Sequence, residues 1–522
     1  MGISHEDRPY VSRRQFLQRS AAVSGAAVLT SATPLFWQQP AYAAGAPVSH
    51  LHLQFGADAA HEATVSWRTT SPVKTPFVEV DGTRVRATTR QYPGYAGGWF
   101  HSARLKGLHA ATTYRYRVGH AGQALTGDRL TTGPSGRQRF TWTGFGDQGY
   151  SVPTAGRNDA HHNTKLAQRI DPALHAIVGD LAYANGDQAI WDQWMGMVSP
   201  MARRRPWMPC IGNHEIESQL DPVGLLLDTW GDHGYDPYRT RFDLPGNGHS
   251  DLSNCFYRFR YGSVEFLSID NNDVTSEIPL NVGYTGGRQK AWVESTLKRA
   301  AADPAVDFIV VLMHQAAFSS SSKHGSDLGV QTTWLDLFSK YGVDLVLQGH
   351  DHVYERTHAM RGMAVADDSG PYRTDTGTVF VLVGNGGGVQ EPFKPLQPDW
   401  SAFRKEGVIG TLRVDVDPFG PKGMSRLVLG EYAAADGRPV EKGIILERPH
   451  RHPRARTTAA QPPYAQPQSG GRHALTPTAE HLPATGGLPG VAAVGMAAAG
   501  AAAALRVTVG RLREPDADEL QV

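Results

Sequence analysis

One junction recurs along this chain and limits what it can fold into: an apolar stretch of strand length that ends abruptly in Gly, Asp, Asn or His. Arg139-Phe140-Thr141-Trp142-Thr143-Gly144-Phe145 runs into Gly146-Asp147, and His175-Ala176-Ile177-Val178 into Gly179-Asp180. Phe308-Ile309-Val310-Val311-Leu312-Met313 runs into His314, Leu345-Val346-Leu347-Gln348 into Gly349-His350, and Val379-Phe380-Val381-Leu382-Val383 into Gly384-Asn385-Gly386-Gly387. Apolar runs of this kind read as strands. Helical patterns over 289–301 and 333–341 lie between them, so the expected fold is layered α/β. Polar residues gather at the strand ends, where such sheets place their active sites.

The segment before these junctions has another texture. Over about 48–132 the chain shows short alternating runs, such as Ala63-Thr64-Val65-Ser66-Trp67 and Thr113-Tyr114-Arg115-Tyr116-Arg117-Val118, separated by Gly, Pro and Asp turns. This predicts a small β-sandwich, and Leu108 with Tyr114 resembles the tyrosine-corner region of fibronectin type III domains. No chemical motif falls there, so its expected role is structural. A formal net charge of +1 argues against a nucleic-acid scaffold, whereas 22 histidines, several in glycine-rich turns, favour metal chemistry. Cys210 and Cys255 leave both a disulfide and two buried thiols open.

Both ends resemble address signals. Ser12-Arg13-Arg14-Gln15-Phe16-Leu17, a modestly apolar run and Ala41-Tyr42-Ala43 read as a twin-arginine signal peptide over 1–43. Leu482-Pro483-Ala484-Thr485-Gly486, an uncharged Ala-rich stretch over 488–505 and the basic residues Arg506, Arg511 and Arg513 resemble the sortase sorting signal of Gram-positive bacteria, over 482–522. That resemblance implies joining of Thr485 to peptidoglycan, with only transient membrane contact through 488–505; a retained membrane anchor is the alternative. The Pro-, Gln- and Thr-rich stretch over 448–481 reads as a linker. The expected units between are a β-sandwich domain over 44–136 and a catalytic domain over 137–447.

Five motifs supply the chemistry: Gly146-Asp147-Gln148-Gly149, Gly179-Asp180-Leu181-Ala182-Tyr183, Gly212-Asn213-His214-Glu215, Val311-Leu312-Met313-His314 and Gly349-His350-Asp351-His352. Their donors Asp147, Asp180, Tyr183, Asn213, His314, His350 and His352 suit a binuclear metal centre with solvent and substrate completing it. Asp180, with two carboxylate oxygens, is the expected bridge. One ion takes Asp147, Tyr183, Asp180 and His352, an anionic set that favours Fe(III). The other takes Asn213, His314, His350 and Asp180, which favours a divalent ion.

These motifs resemble the calcineurin-like metallophosphoesterases and, through Tyr183 three residues after Asp180, the purple acid phosphatases among them. Further similarity lies in Gly349-His350-Asp351-His352-Val353-Tyr354-Glu355-Arg356, in Gly384-Asn385-Gly386-Gly387 and in the preceding β-sandwich, covering about 48–447. The resemblance implies a layered β-sandwich catalytic domain with helices outside, preceded by an all-β fibronectin type III-like domain. It also implies a phenolate on Fe(III) beside Fe, Zn or Mn. The expected activity is acid phosphatase hydrolysis of small phosphate monoesters by a metal-bound hydroxide. The leaving group needs a proton, and His214 and His324 are the expected catalytic histidines, at positions where the family has histidines beside its ligands. Phe318 departs from the family, which often has Tyr there; Asp327 is open between assisting and being solvated; Arg356 is expected to pair structurally. Alternatives are a phosphodiesterase or nucleotide-hydrolysing enzyme with the same metals, its specificity set by loops over 188–194 and 231–241, an inert wall-attached binding protein on this fold, and an adhesin using the β-sandwich.

Overall fold

The computed structural model describes residues 46–451 apart from 93–94, 96, 150–158, 217–233, 247–249 and 253. The signal peptide expected over 1–43, nearly all of the linker expected over 448–481, and the sorting signal with Thr485 and 488–505 lie outside the described residues.

Alternation along the N-terminal strands folds them into two antiparallel four-stranded sheets. In spatial order one holds Val48–Phe55, Glu62–Thr69, Trp99–Lys106 and Thr88–Gln91; the other holds Thr83–Arg86, Phe77–Val80, Thr113–His120 and Gln123–Thr131. In Thr113–His120 the side chains of Tyr114, Tyr116 and Val118 are buried while Thr113, Arg115 and Arg117 are exposed, the period of a half-buried strand. Asp81 and Gly82 join two strands with φ of 48° and 78°, the left-handed pair a two-residue hairpin requires. The Tyr114 hydroxyl accepts the His109 amide at 2.7 Å, closing the expected corner. Between the sheets lie Leu53, Val65, Trp67, Val78 and Leu130, all fully buried; each such side chain contributes about 1.5–3 kcal/mol.

The larger unit is an α/β sandwich. Among the described residues one sheet runs Trp207–Cys210, His175–Val178, Phe140–Phe145, Gly410–Asp417, Met424–Ala433, Pro439–Pro449 and Tyr372–Arg373. The other runs Tyr257–Tyr261, Val264–Ser268, Phe308–Leu312, Leu345–Gln348, Thr378–Val383, Tyr354–Arg361 and Ala364–Asp367, with Ser401–Lys405 beside Tyr354–Arg361. The sheets pack face to face, with Trp142 edge-on to Phe266 at 5.4 Å. Their parallel strands explain the unbroken apolar runs. Val310, Leu312 and Leu347 join the core between the sheets, while Ile309, Val311 and Val346 join a second core with Val293, Leu297, Trp334 and Phe338 of two helices.

Those helices are Arg288–Ala302 and Leu328–Tyr341. The second begins earlier than the 333–341 pattern because the Asp327 carboxylate accepts the Val330 amide at 2.8 Å and caps it. Asp327 is therefore a helix cap. The expected loop over 188–194 is corrected: it is the start of helix Gln188–Ala202, capped by Asp187 and held by buried Trp191, Trp194 and Met195. Cys210 and Cys255 are both buried and unbridged. Phe318 packs into the core against Phe380 and Trp400. Arg356 pairs with Glu441 at 2.8 Å, the structural role expected of it.

Candidate metal centre

Parallel strands from both sheets deliver the polar loops to one end of the sandwich. Asp147 follows Phe140–Phe145, Asp180 follows His175–Val178, Asn213 follows Trp207–Cys210, His314 follows Phe308–Leu312, and His350 follows Leu345–Gln348. The turns are tight. Asp147, Asp180, Tyr183 and His350 themselves adopt φ of 57°, 50°, 52° and 81°, a region that non-glycine residues occupy at a cost of order 1–3 kcal/mol each. A Cβ at Gly212 would lie 2.2 Å from Asp180 Oδ1; its missing side chain lets the Asn213 loop close on Asp180.

All seven candidate ligands enter one contact network. The Tyr183 hydroxyl lies 2.6 Å from His352 Nε2 and donates to Asp147 Oδ1 at 3.1 Å. His314 Nε2 is 3.0 Å from Asn213 Oδ1, 3.3 Å from Asp180 Oδ1, 3.3 Å from His350 Nδ1 and 3.9 Å from Asp147 Oδ1. Asp180, His314 and His350 offer three donor atoms within 4.8 Å of one another. The donors thus form two neighbouring groups, Asp147–Tyr183–His352 and Asp180–Asn213–His314–His350. Backbone carbonyls fix two of the rings: His314 Nδ1 donates to Val178 O at 2.8 Å and His352 Nδ1 to Val389 O at 2.7 Å. Their Nε2 atoms are thereby left to the centre.

The electrostatics call for positive charge. Burial alone would lower the His314 imidazole, but the Asp180 and Asp147 carboxylates outweigh it and raise it to about 10. Burial opposes ionisation of Asp180 too, yet His314 and His214 hold it well below the usual carboxylate range. Asp147 is pushed up by burial and by the Asp180 charge, despite His314 beside it. Burial, then Asp147, raises the Tyr183 phenol. Two buried carboxylates, a phenol, an amide oxygen and three imidazoles converge there, a set of oxygen and nitrogen donors that fits cations.

Both expected catalytic histidines stand at the rim. The His214 amide donates to Asp180 Oδ1 at 2.9 Å, its Nδ1 lies 2.6 Å from Asn185 Oδ1, and its ring sits 4.5 Å from that of Tyr183. The His324 ring packs against that of His350, tilted by 41°, with centroids 4.0 Å apart. Its loop is strapped to the loop that carries His350 and His352, for Asp351 accepts the His324 and Gly325 amides at 3.1 and 3.0 Å. Lys323 binds Glu391 at 2.7 Å, and Glu391 accepts the His352 amide at 3.0 Å.

Sequence reasoning gave Asp351, Glu391, Glu215 and Glu277 no role. Glu215 accepts the amides of Asp180, Leu181 and Gly212 at 2.8, 2.9 and 2.7 Å. The Gly212-x-x-Glu215 spacing around the single turn Asn213–Glu215 was the available signal. Glu277 accepts from His350 Nε2 at 2.6 Å and His324 Nδ1 at 3.2 Å, and nothing in its neighbourhood of the sequence announces it.

The family model of the purple acid phosphatase N-terminal domain matches residues 48–141, and that of the calcineurin-like phosphoesterases matches 157–354. An uncharacterized protein of Mycobacterium tuberculosis is 35% identical over 503 residues, covering 81% of this chain and 93% of its own length. Purple acid phosphatase 18 of Arabidopsis thaliana is 27% identical over 357 residues, 65% of this chain and 72% of its own. The solved purple acid phosphatase from yellow lupin seeds is alike in fold, with a TM-score of 0.65 at 22% identity, over 80% of this chain and 78% of its own.

Proposed function

Because the chain belongs to the family that joins a purple acid phosphatase N-terminal domain to a calcineurin-like phosphoesterase domain, we propose that it is an exported binuclear-metal acid phosphatase acting on phosphate monoesters. The observation that carries this reading is the single contact network of Asp147, Asp180, Tyr183, Asn213, His314, His350 and His352. Asp147, Tyr183 and His352 would hold Fe(III), Asn213, His314 and His350 a divalent Fe, Zn or Mn, and Asp180 would serve both. Cations held there would offset the charge of a phosphoester and lower the pKa of water.

The chain's own groups do the rest. Fixed rings at His314 and His352 keep the donors in place without reorganisation. His214, over Tyr183 and bonded to Asn185, lies where it contacts a bound phosphoryl oxygen. His324, with Nδ1 committed to Glu277, keeps Nε2 to donate a proton to the leaving oxygen as the P–O bond breaks. The completeness of the donor set favours an enzyme over an inert binding protein on this fold. Diester cleavage is the alternative within the same chemistry. Elemental analysis, an optical spectrum and rates on a panel of mono- and diesters test the proposal; a metal-free protein inert toward both would overturn it.

We read the two ends as export and wall attachment, on the strength of Arg13-Arg14 and of Leu482-Pro483-Ala484-Thr485-Gly486. Release of the protein from cell walls by a peptidoglycan hydrolase, abolished by Thr485→Ala, is the expected result.

A further inference from the structure

Glu277 belongs to none of the five motifs, yet its carboxylate joins two imidazoles of the site. Oε2 accepts from His350 Nε2 at 2.6 Å and Oε1 from His324 Nδ1 at 3.2 Å, beneath a ring-on-ring contact of 4.0 Å. Its backbone is tied to the same place. The Glu277 amide donates to Thr275 Oγ1 at 3.2 Å, and Thr275 Oγ1 donates to Asp327 Oδ2 at 2.6 Å. Asp327 is three residues beyond His324 and caps the following helix. A closed circuit therefore runs from Glu277 through Thr275 and Asp327 along the chain to His324 and back to Glu277. The segment is also fixed further along, where Asp273 accepts the Thr285 amide and hydroxyl at 3.1 and 2.7 Å. The Glu277 side chain is 34% exposed, but its two oxygens bond one ring each from a tied backbone, and this sets the tautomer and the tilt of both rings.

We propose that Glu277 is a positioning residue for leaving-group protonation: it locks the His324 ring against the candidate ligand His350 so that His324 Nε2 meets the departing oxygen. The inference rests on the reading of His324 as the general acid. In that step the P–O bond breaks, its electron pair leaves with the oxygen, and the proton on His324 Nε2 passes to that oxygen. In this reading Glu277 acts through the histidine.

The test uses the full-length, metal-loaded protein with two esters, p-nitrophenyl phosphate, whose leaving group needs little protonation, and an alkyl phosphate, which needs a proton. Glu277→Ala lowers kcat on the alkyl ester about 10- to 100-fold more than on the aryl ester, with unchanged metal content, and Glu277→Gln restores part of the difference. In the metal-free protein, imidazole nitrogen NMR signals of both His324 and His350 move in Glu277→Ala. Equal losses on the two esters accompanied by loss of metal overturn the inference, leaving Glu277 as a support for His350 alone. An unmoved His324 signal overturns it too. His324→Ala separates the two levels. If it is selective for the alkyl ester while Glu277→Ala is not, only the inference on Glu277 falls; if it is unselective, the general-acid reading falls and takes the inference with it.

Discussion

The Glu215 carboxylate receives the backbone amide of Asp180 at 2.8 Å, and through Leu181 and Gly212 it binds the Asp180 turn to the Asn213 loop. Glu215→Ala strands three buried N–H groups, each worth about 1–3 kcal/mol when unsatisfied. The expected result is a clear drop in thermal midpoint together with a fall in bound metal. An unchanged midpoint by calorimetry would show that water replaces the carboxylate.

His350→Ala and Asp180→Ala are expected to abolish hydrolysis of p-nitrophenyl phosphate while circular dichroism keeps the folded spectrum. Both side chains are buried in the polar network, outside the apolar cores that hold the sheets together. Turnover at the unsubstituted level by either variant would remove it from the ligand set.

On the proposed reading, Tyr183 would separate an iron-containing purple enzyme from other two-metal phosphoesterases. Its hydroxyl lies between Asp147 and His352. Visible absorption is expected in the loaded protein and is expected to vanish in Tyr183→Phe. A colourless, iron-free protein of full activity would contradict the phenolate assignment.

The seven donors were legible because each lies at or just beyond the end of an apolar strand, so local sequence and three-dimensional placement coincide. The strands before them were legible for the same reason: runs such as Phe308–Leu312 are buried throughout and contain nothing but apolar residues. Glu277 was not, because it sits in a turn-rich segment between Asn271–Asp273 and Arg288–Ala302 and meets His324 and His350 only through folding. The helix Gln188–Ala202, read as a loop over 188–194, is capped by Asp187 and carries Pro200 inside it, a residue that speaks against a helix in sequence.

Acid stability should depend on His175, which is sandwiched between Phe145 and Trp207 with ring centroids 4.3 Å from each. Burial lowers its imidazole from 6.5 to about 3. Between those values the unfolded chain binds a proton that the folded chain refuses. Its contribution to stability is therefore complete above pH 6.5 and is lost as pH falls toward 3. Denaturant unfolding between pH 4 and 7 should show a shallower acid-side decline in His175→Phe than in the parent. Parallel curves would mean that other groups set the acid limit.

Arg356 and Glu441 form a pair whose side chains are only 5% and 9% exposed. Removing one partner leaves an uncompensated buried charge, so Arg356→Ala should cost about 3–5 kcal/mol of stability. At a temperature where the variant stays folded, kcat should match the parent. A selective loss of kcat would instead bring Arg356 into the reaction.

The left-handed backbone at Asp147, Asp180, Tyr183 and His350 sets natural selection against itself. Drift toward glycine at any of these positions relaxes the main chain and rewards the fold, while it deletes a donor and ends the chemistry. Asp180→Gly should accordingly be the sturdier protein beside Asp180→Ala, though equally inactive. A lineage released from the need for these donors would be expected to settle into such replacements early.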